Sequence, residues 1–563
     1  MSGTTTIPLC RRRLRPLAVS VALVLLLVPA VGLAAPGDLD SGFGASGQAR
    51  LSGDGGKDLA LQDGKILVTN GLGVARLLAT GVVDPSFKLQ EHPLQACEPD
   101  GLGLQQKGQI IIGGCSSSPL GIDFAVERRG KDGVIDPTFG NGGIVSTDFG
   151  PEDYLEDLLV QPDDKIVAVG TSVLENTESI FRAQWVIARY RADGTLDQSF
   201  GSAGKVVSTF AAGFCGEAFK AALQADGKIL VVGARCSSSD VNVSDMVVRR
   251  FLPSGAVDTS FGVSGTRLVD LGAFDVAESL ALQSDGKIVV VGRSTPEFYA
   301  TGADFLALRL DNAGTQDTSF GNAGIATIAS EDPDIAEDVV LQSDGKIVVV
   351  GSHISYSSYF PDAIDRFVVE RFTPSGQPDV TFGTGGRVET WMSGPRGYEE
   401  SNAKAVLITP DGKLLVSGGM FQYNGFDEEP SYYTIVARYS AVASGPACTI
   451  IGTTGADHIT GTQFDDVICP GDGNDVVEAG SGNDIVRGGK GDDTIFGGAG
   501  RDQLFGEAGN DRIVGAADPD ILDGGAGGDT LEAKDSMPGD SVNGGAGVDV
   551  CVADPGDTQT SCP

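Results

Sequence analysis

Nine aspartates recur every nine residues between Gly452 and Glu532: Asp457, Asp466, Asp475, Asp484, Asp493, Asp502, Asp511, Asp520 and Asp529. Two places after each stands an aliphatic residue: Ile459, Ile468, Val477, Val486, Ile495, Leu504, Ile513, Leu522 and Leu531. Glycines stand early in each unit. Carboxylates so spaced suit a hard divalent cation, which takes roughly six to eight oxygens at ~2.3–2.6 Å. Glycines in a GGxGxD loop permit the strained backbone that turns carbonyl oxygens inward, and the aspartate closes the cage. If two units make one coil, alternate units stack. Asp475 then shares an ion with Asp493, Asp484 with Asp502, and Asp493 with Asp511. An empty column of carboxylates repels itself, so ion binding and folding are expected to be one event. A disordered Gly/Asp-rich tail would not hold the aliphatic position in phase through nine units.

The best units, GGKGDDTIF from Gly488 and GGAGRDQLF from Gly497, resemble the hemolysin-type (RTX) calcium-binding repeats of secreted bacterial proteins. The resemblance implies a parallel β-roll over 446–563 that binds several calcium ions through the nine aspartates. Three units, GTTGAD, GTQFDD and GAADPD, lack the second glycine, which weakens the sites at Asp457, Asp466 and Asp520. The phase is lost over Ala533 to Asn543, then returns for one unit, GGAGVDVCV, with Cys551 in the aliphatic place.

Between Gly37 and Gly445 a slower repeat governs the chain. A hairpin signature of the type DGK[IL] recurs at Lys65, Gln109, Lys165, Lys228, Lys287, Lys346 and Lys413, and D-x-[ST]-F-G at Asp40, Asp84, Asp136, Asp197, Asp258, Asp317 and Asp379. An arginine among apolar residues recurs at Arg76, Arg128, Arg189, Arg250, Arg309, Arg371 and Arg438. One unit reads as four strand-like runs, GIATIA, DVVLQ, KIVVVG and RFVVERF, the middle two joined by Ser343-Asp344-Gly345. The expected fold is therefore all-β: a seven-bladed β-propeller over 37–445 followed by the calcium-binding parallel β-roll. The N-terminal strand near Gln48 to Leu51 should complete the blade begun near Lys413. The pattern is similar to the bacterial delta-60 repeat, a propeller family of undefined function. Because the Asp, Arg and Phe recur once per unit, they are read as the mortar between blades.

Residues 1–35 read as an export signal: a basic stretch (Arg11 to Arg15), an apolar run (Leu17 to Val28), Pro29 and small residues ending in Ala34-Ala35. The other reading, an uncleaved anchor, wants about 20 apolar residues and is weakened by Pro29. Cysteine usage agrees with export to an oxidising compartment. Beyond Cys10, eight cysteines fall into close pairs, Cys97 with Cys115, Cys215 with Cys236, Cys448 with Cys469 and Cys551 with Cys562, all expected as disulfides. An N-terminal signal departs from those RTX relatives that a one-step machine exports. The formal net charge is −36, which argues against nucleic acid and against stable membrane insertion after signal removal, and in favour of divalent cations.

The repeat is broken mainly in the connection between the two last long strands of each unit, where aromatic residues gather: Tyr299, Tyr356, Tyr359, Phe360, Phe421, Tyr423, Tyr432 and Tyr433. They read either as a binding face for a glycan or protein ligand, or as rings packed within their own loops. Only three histidines are present, and no GxSxG, HExxH, CxxC or phosphate loop appears. The expectation is a secreted or surface-associated, non-enzymatic calcium-binding adhesion protein, with the roll as a stalk. The competing reading is a secreted polysaccharide hydrolase or lyase with the propeller as catalytic body.

Overall fold

The computed structural model describes residues 36–563 except 54, 89–95, 98, 120, 178–180, 238–239, 272–273, 296–304, 329–333, 356–363, 393–398, 423–430, 441–449, 454, 546 and 563. The signal segment, the linker expected at 441–447, Cys448, Tyr299, Tyr356, Tyr359, Phe360 and Tyr423 lie outside the described residues. Among those described, every regular element is a strand, and no helix is long and apolar enough to cross a membrane.

The N-terminal part is built of propeller-like antiparallel sheets. In one unit Glu152–Val160, Ile166–Asn176, Phe181–Tyr190 and Lys205–Ser208 pair in sequence order. The first hairpin turns where the DGK signature placed it. Gly227, Gly286 and Gly345 have φ of +81°, +86° and +79°, which a side chain would strain. The first strands of successive units touch in a cycle: Gly55–Gln62, Gly101–Leu104, Glu152–Val160, Phe214–Leu223, Phe274–Leu282, Asp334–Leu341, Glu399–Ile408, and back to Gly55–Gln62. The strand Gln48–Ser52 pairs antiparallel with Ser431–Tyr439, Ala49 opposite Val436, so the chain's two ends share one sheet.

Arginine, aspartate and phenylalanine of each repeat form one device. Arg189 Nε donates to Asp197 Oδ2 at 3.0 Å, its NH1 reaches the Pro253 carbonyl of the following unit at 2.6 Å, and its guanidinium lies 4.5 Å from the Phe200 ring centroid. Arg76, Arg128, Arg250 and Arg309 repeat this with Lys131, Ala192, Asn312 and Pro374 as the carbonyl partners. At the junction of the ends Arg438 pairs with Asp40, stacks on Phe43 and donates to the Ala79 carbonyl at 2.6 Å. Each arginine thus neutralises a carboxylate and ties its sheet to the next.

The C-terminal part is a parallel β-solenoid of about six turns. Each strand pairs with the strand eighteen residues on, as Val477 with Ile495 and Ile495 with Ile513. Two parallel sheets result, and the aliphatic position of every unit fills the space between them: Ile468, Val477, Val486, Ile495, Leu504, Ile513, Leu522 and Leu531 are fully buried. Beyond Leu531 the stacking does not stop. Leu522 faces Val542 and Leu531 faces Cys551, a step of twenty residues instead of eighteen, with the extra residues looped out.

Candidate metal centre and the propeller channel

Stacking puts the aspartates in two columns. In each, one carboxylate oxygen accepts the backbone N–H of the aspartate one coil earlier: Asp475 N to Asp493 Oδ1, Asp493 N to Asp511 Oδ1 and Asp511 N to Asp529 Oδ1, all at 2.8 Å. In the other column Asp466 bonds to Asp484 and Asp484 to Asp502 at 2.8 Å, and Asp502 to Asp520 at 2.9 Å. These carboxylates are at most 2 % exposed from Asp475 to Asp529. Their second oxygens are another matter. Oδ2 of Asp475, Asp484, Asp493, Asp502, Asp511 and Asp529 is buried with no hydrogen-bond partner.

In the units that open on glycine, that residue shows where the second oxygen points; those of Asp475 and Asp484 open on Pro470 and Ala479 instead. A Cβ on Gly497 would stand 2.5 Å from Asp502 Oδ2 and 2.8 Å from the Gly515 carbonyl; one on Gly488, 2.6 Å from Asp493 Oδ2 and 2.7 Å from the Gly506 carbonyl; one on Gly524, 2.5 Å from Asp529 Oδ2 and 2.6 Å from the Gly544 carbonyl. In these units a carboxylate and a carbonyl oxygen therefore converge on one small space that a side chain would fill. An all-oxygen donor set with an orphaned anionic member fits a hard cation such as calcium.

Without a cation several of these groups bind protons more tightly than a free carboxylate does. Burial, with the next aspartates of the column adding to it, lifts Asp493 and Asp502 to about 6 and Asp511 and Asp520 to about 7, against the partial relief of one backbone N–H each. Asp484, Asp529 and Asp540 are raised for the same reason.

The first two units differ for a reason visible in their sequence. Where GTTGAD and GTQFDD replace the second glycine by threonine, the hydroxyl answers the free oxygen: Thr453 N and Oγ1 donate to Asp457 Oδ2 at 2.6 and 2.9 Å, and Thr462 N and Oγ1 to Asp466 Oδ2 at 2.6 and 2.7 Å. Asp520, despite the neighbouring Pro519, keeps its place in the column, its N–H bonded to Asp540 Oδ1 at 2.7 Å. Two members escaped the sequence reading, Asp540 and Asp549, the latter accepting the Asp529 N–H at 3.0 Å. The Asp-x-aliphatic triplets Asp540-Ser541-Val542 and Asp549-Val550-Cys551 carry the signal, displaced by the two-residue insertion.

Disulfides join Cys97 to Cys115, Cys215 to Cys236 and Cys551 to Cys562, and Cys469 is disulfide-bonded. Cys215 and Cys236 are direct cross-strand partners. Of the loop aromatics that are described, Phe421 and Tyr432 meet edge to face at 5.1 Å, and Arg50 lies 5.4 Å over the Tyr433 ring. They pack against their own surroundings, and Tyr432 remains 47 % exposed.

The channel side of the propeller holds a group of charges that no local motif announced. Most first strands carry a bulge, and the extra residues include Glu156, Glu278, Glu337 and Lys404. Lys57 pairs with Asp100 at 2.6 Å, Lys404 with Glu337 at 2.5 Å and Lys220 with Asp157 at 3.4 Å. The aspartates also stitch the cycle: Asp58 accepts the Leu102 N–H, Asp157 the Ala221 N–H and Asp338 the Val406 N–H, at 2.8 to 2.9 Å. Burial pushes Glu156 up to about 8, with Asp100 adding to it, and Glu278 and Asp58 up to about 7. Lys220, although burial opposes its charge, is held above its ordinary value by Asp157, Asp58 and Asp338. Elsewhere in the propeller His353 Nδ1 lies 2.8 Å from Asp334 Oδ1, and Arg387 binds both oxygens of that aspartate.

Comparison with known proteins agrees with the two-part architecture. The model of the RTX calcium-binding nonapeptide repeat matches residues 449–469, 470–504 and 496–531, and that of a β-propeller domain of unknown function, DUF5122, matches 161–200, 224–261, 283–320 and 342–382. The chain carries DUF5122 propeller repeats followed by RTX calcium-binding repeats. No curated protein matches it. Among solved structures it is similar to a PL25 ulvan lyase (14% identity, 70% of this chain and 96% of that one, TM-score 0.43) and to the polysaccharide lyase Uly1 (12%, 68% and 90%, TM-score 0.38). Regucalcin, a calcium-binding protein of Agrobacterium tumefaciens, is a further likeness (10%, 70% and 97%, TM-score 0.30). These are likenesses of fold alone.

They nevertheless correct one expectation. The sequence was read as that of a non-enzyme, whereas solved structures of similar fold include polysaccharide lyases. The reading failed because it searched for short motifs, whereas a propeller assembles ionisable groups in its channel from strands some sixty residues apart, as Glu156, Glu217 and Glu278 show.

Proposed function

We propose that this is an exported calcium-binding protein whose solenoid, over 446–563, folds around several calcium ions, and whose propeller, over 37–445 and closed as seven blades, presents its variable loops to an extracellular glycan or protein ligand. The orphaned Oδ2 oxygens of Asp475, Asp484, Asp493, Asp502, Asp511 and Asp529 carry the calcium part. Those of Asp493, Asp502, Asp511 and Asp529 are directed, with glycine carbonyls, at a space lined by oxygen. Asp520 belongs to the same columns. Asp457 and Asp466, whose second oxygens the threonines already satisfy, contribute least. Extracellular calcium modules bind at ~0.1–1 mM, so the sites would fill outside the cell and stay empty inside it. Paired cysteines suit the same compartment, with the protein free or attached at the surface. Calorimetric titration of the full chain with calcium, alongside protease resistance of residues 450–562 in calcium and in EDTA, tests this. No heat of binding, or a solenoid equally resistant in EDTA, would overturn it.

A second reading rests on the channel. Glu156, which burial lifts to about 8 with Asp100 adding to it, keeps its proton at neutral pH and has the environment of a general acid. The propeller would then act on an extracellular polysaccharide. Product release from a polysaccharide panel, abolished by Glu156→Gln with calcium binding intact, is the result this reading requires.

A further inference from the structure

The solenoid is not the only place where carboxylates converge. We infer that Asp123, Asp148 and Asp153 form a separate cation site within the propeller, one that takes a single hard divalent ion, calcium in a calcium-rich medium. One oxygen from each lies within 4.8 Å of the others. Oxygens bound at ~2.4 Å to one calcium ion are at most ~4.8 Å apart, when they stand on opposite sides of it. The three therefore fit within one coordination shell.

A second observation points to a ligand. Asp153 is fully buried. Its Oδ2 accepts the N–H groups of Phe149 at 2.6 Å and Gly150 at 3.1 Å. Its Oδ1 is buried and makes no hydrogen bond of good geometry, the Ser172 hydroxyl across the ladder giving it only partial relief. A buried anionic oxygen so weakly answered is costly unless a cation faces it. Asp148 is exposed, which leaves the site open to water on one side. The nearest cationic side chain, Lys205, spends its charge elsewhere: Nζ donates to the Asp148 backbone carbonyl at 2.5 Å and lies 5.1 Å over the Phe149 ring. Among the described residues no ion pair joins it to the three carboxylates.

The repeat supplies its own comparison. The strand register places Asp245, Asp270 and Asp275 where Asp123, Asp148 and Asp153 stand two copies earlier. There Arg235, directly across the ladder from Asp245, donates to it from Nε at 2.8 Å. The residue across from Asp123 is Ser116, whose hydroxyl bonds to Ser146 at 2.8 Å. In another copy the same positions hold Gln184, Thr209 and Gly216, and in another Arg366 stacked 4.0 Å from the Trp391 ring, beside Ser401. One copy thus supplies a guanidinium to Asp245, although Asp275 Oδ1 there is likewise buried without a hydrogen-bond partner, and two have lost the carboxylates. The copy with three carboxylates and no guanidinium is the one that needs an ion from outside.

Sensitised terbium luminescence distinguishes this site from the solenoid, because no Tyr or Trp follows Tyr439 in the chain. Tyr154 is the neighbour of Asp153, and Tyr190 is bonded through its hydroxyl to Thr147, which precedes Asp148, at 2.7 Å. Full-length protein excited at its tyrosines should sensitise bound terbium, and calcium should displace the signal. Asp148→Asn, at an exposed position that does not threaten folding, should lose that emission; Asp502→Asn in the solenoid should keep it. Calorimetry should count one calcium fewer in Asp148→Asn. Undiminished emission and ion count in Asp148→Asn, or no sensitised emission from the wild type, would overturn the site while leaving the solenoid reading untouched.

Discussion

Asp502→Asn in the solenoid separates a column held by ions from one held only by hydrogen bonds, because the two accounts give opposite signs. The asparagine keeps the acceptor that Asp502 Oδ1 offers to the Asp484 N–H. At Oδ2 it replaces an unanswered charge by an N–H₂ beside the Gly515 carbonyl. Burial first, and Asp484 and Asp518 after it, raise the Asp502 carboxyl from 3.8 to about 6. Folded chain without calcium therefore binds a proton more tightly than unfolded chain does. The stability this gives is fully present below pH 3.8 and is lost as pH rises through 6. At pH 8 the ionised carboxylate costs the empty fold about 3 kcal/mol at 1.36 kcal/mol per unit. Discounted by half for the water at the coil's edge, about 1.5 kcal/mol remains.

In EDTA at pH 8 the asparagine should thus stabilise the coil by about 1.5 kcal/mol, which slows amide exchange through local opening roughly tenfold. In calcium it removes an ion that only the folded state binds. At hundredfold excess over the dissociation constant that ion is worth about 2.7 kcal/mol, which outweighs the gain at the empty site by about 1.2 kcal/mol, so exchange should become roughly eightfold faster than in the wild type. Hydrogen exchange followed by mass spectrometry on peptides spanning 484–520, at one pH and in both media, reads both arms. The same sign in calcium and in EDTA would refute the assignment of Asp502 as a calcium ligand.

Acidification should weaken calcium binding. The carboxyls of Asp511 and Asp520, lifted to about 7 by burial, take up protons that compete with the ion, so calorimetric affinity should fall between pH 8 and pH 6 and calcium addition should release protons. Arg438→Ala should lower propeller stability by about 2 kcal/mol, read as a lower urea midpoint, because the Ala79 carbonyl loses its donor and Asp40 is left with Lys413 alone where the propeller closes. Cys562→Ser opens the Cys551–Cys562 clip, of separation 11. It should cost the last coil about 3 kcal/mol, with faster exchange over 541–560 and no change over 476–499.

The solenoid was legible because each coil restates the same local chemistry at a fixed step, so that Asp493 and Ile495 announce Asp511 and Ile513. Its exceptions were legible only as blemishes. Thr453 and Thr462 read as missing glycines, and only the hydrogen bonds to Asp457 and Asp466 show hydroxyls standing where the other units leave an oxygen unanswered. Asp540 and Asp549 were hidden by two inserted residues, which break a nine-residue count but not a stack that can loop the excess out. In the propeller, the recurring Arg, Asp and Phe declared a structural role, yet the carbonyl each arginine reaches belongs to the following unit and has no fixed residue type. Channel charges escaped altogether. Glu156 and Glu278 sit at bulges and pass, in a string of letters, for the solvent face of an alternating strand.

Both halves are rich in aspartate, and the difference between them lies in how each carboxylate is answered. In the propeller repeat an arginine meets the carboxylate, and a Ser or Thr hydroxyl two places on meets the other oxygen, as Ser199 does for Asp197 at 2.7 Å. That balance is internal and does not change with the medium. Solenoid aspartates have one oxygen answered by the backbone and the other by nothing in the chain, while each coil buries only two aliphatic side chains against the ordering of eighteen residues. Apolar burial that thin cannot also absorb the repulsion of a stacked carboxylate column. The solenoid must therefore borrow its stability from calcium, and the propeller need not, except where Asp123, Asp148 and Asp153 leave one copy of the repeat without its guanidinium.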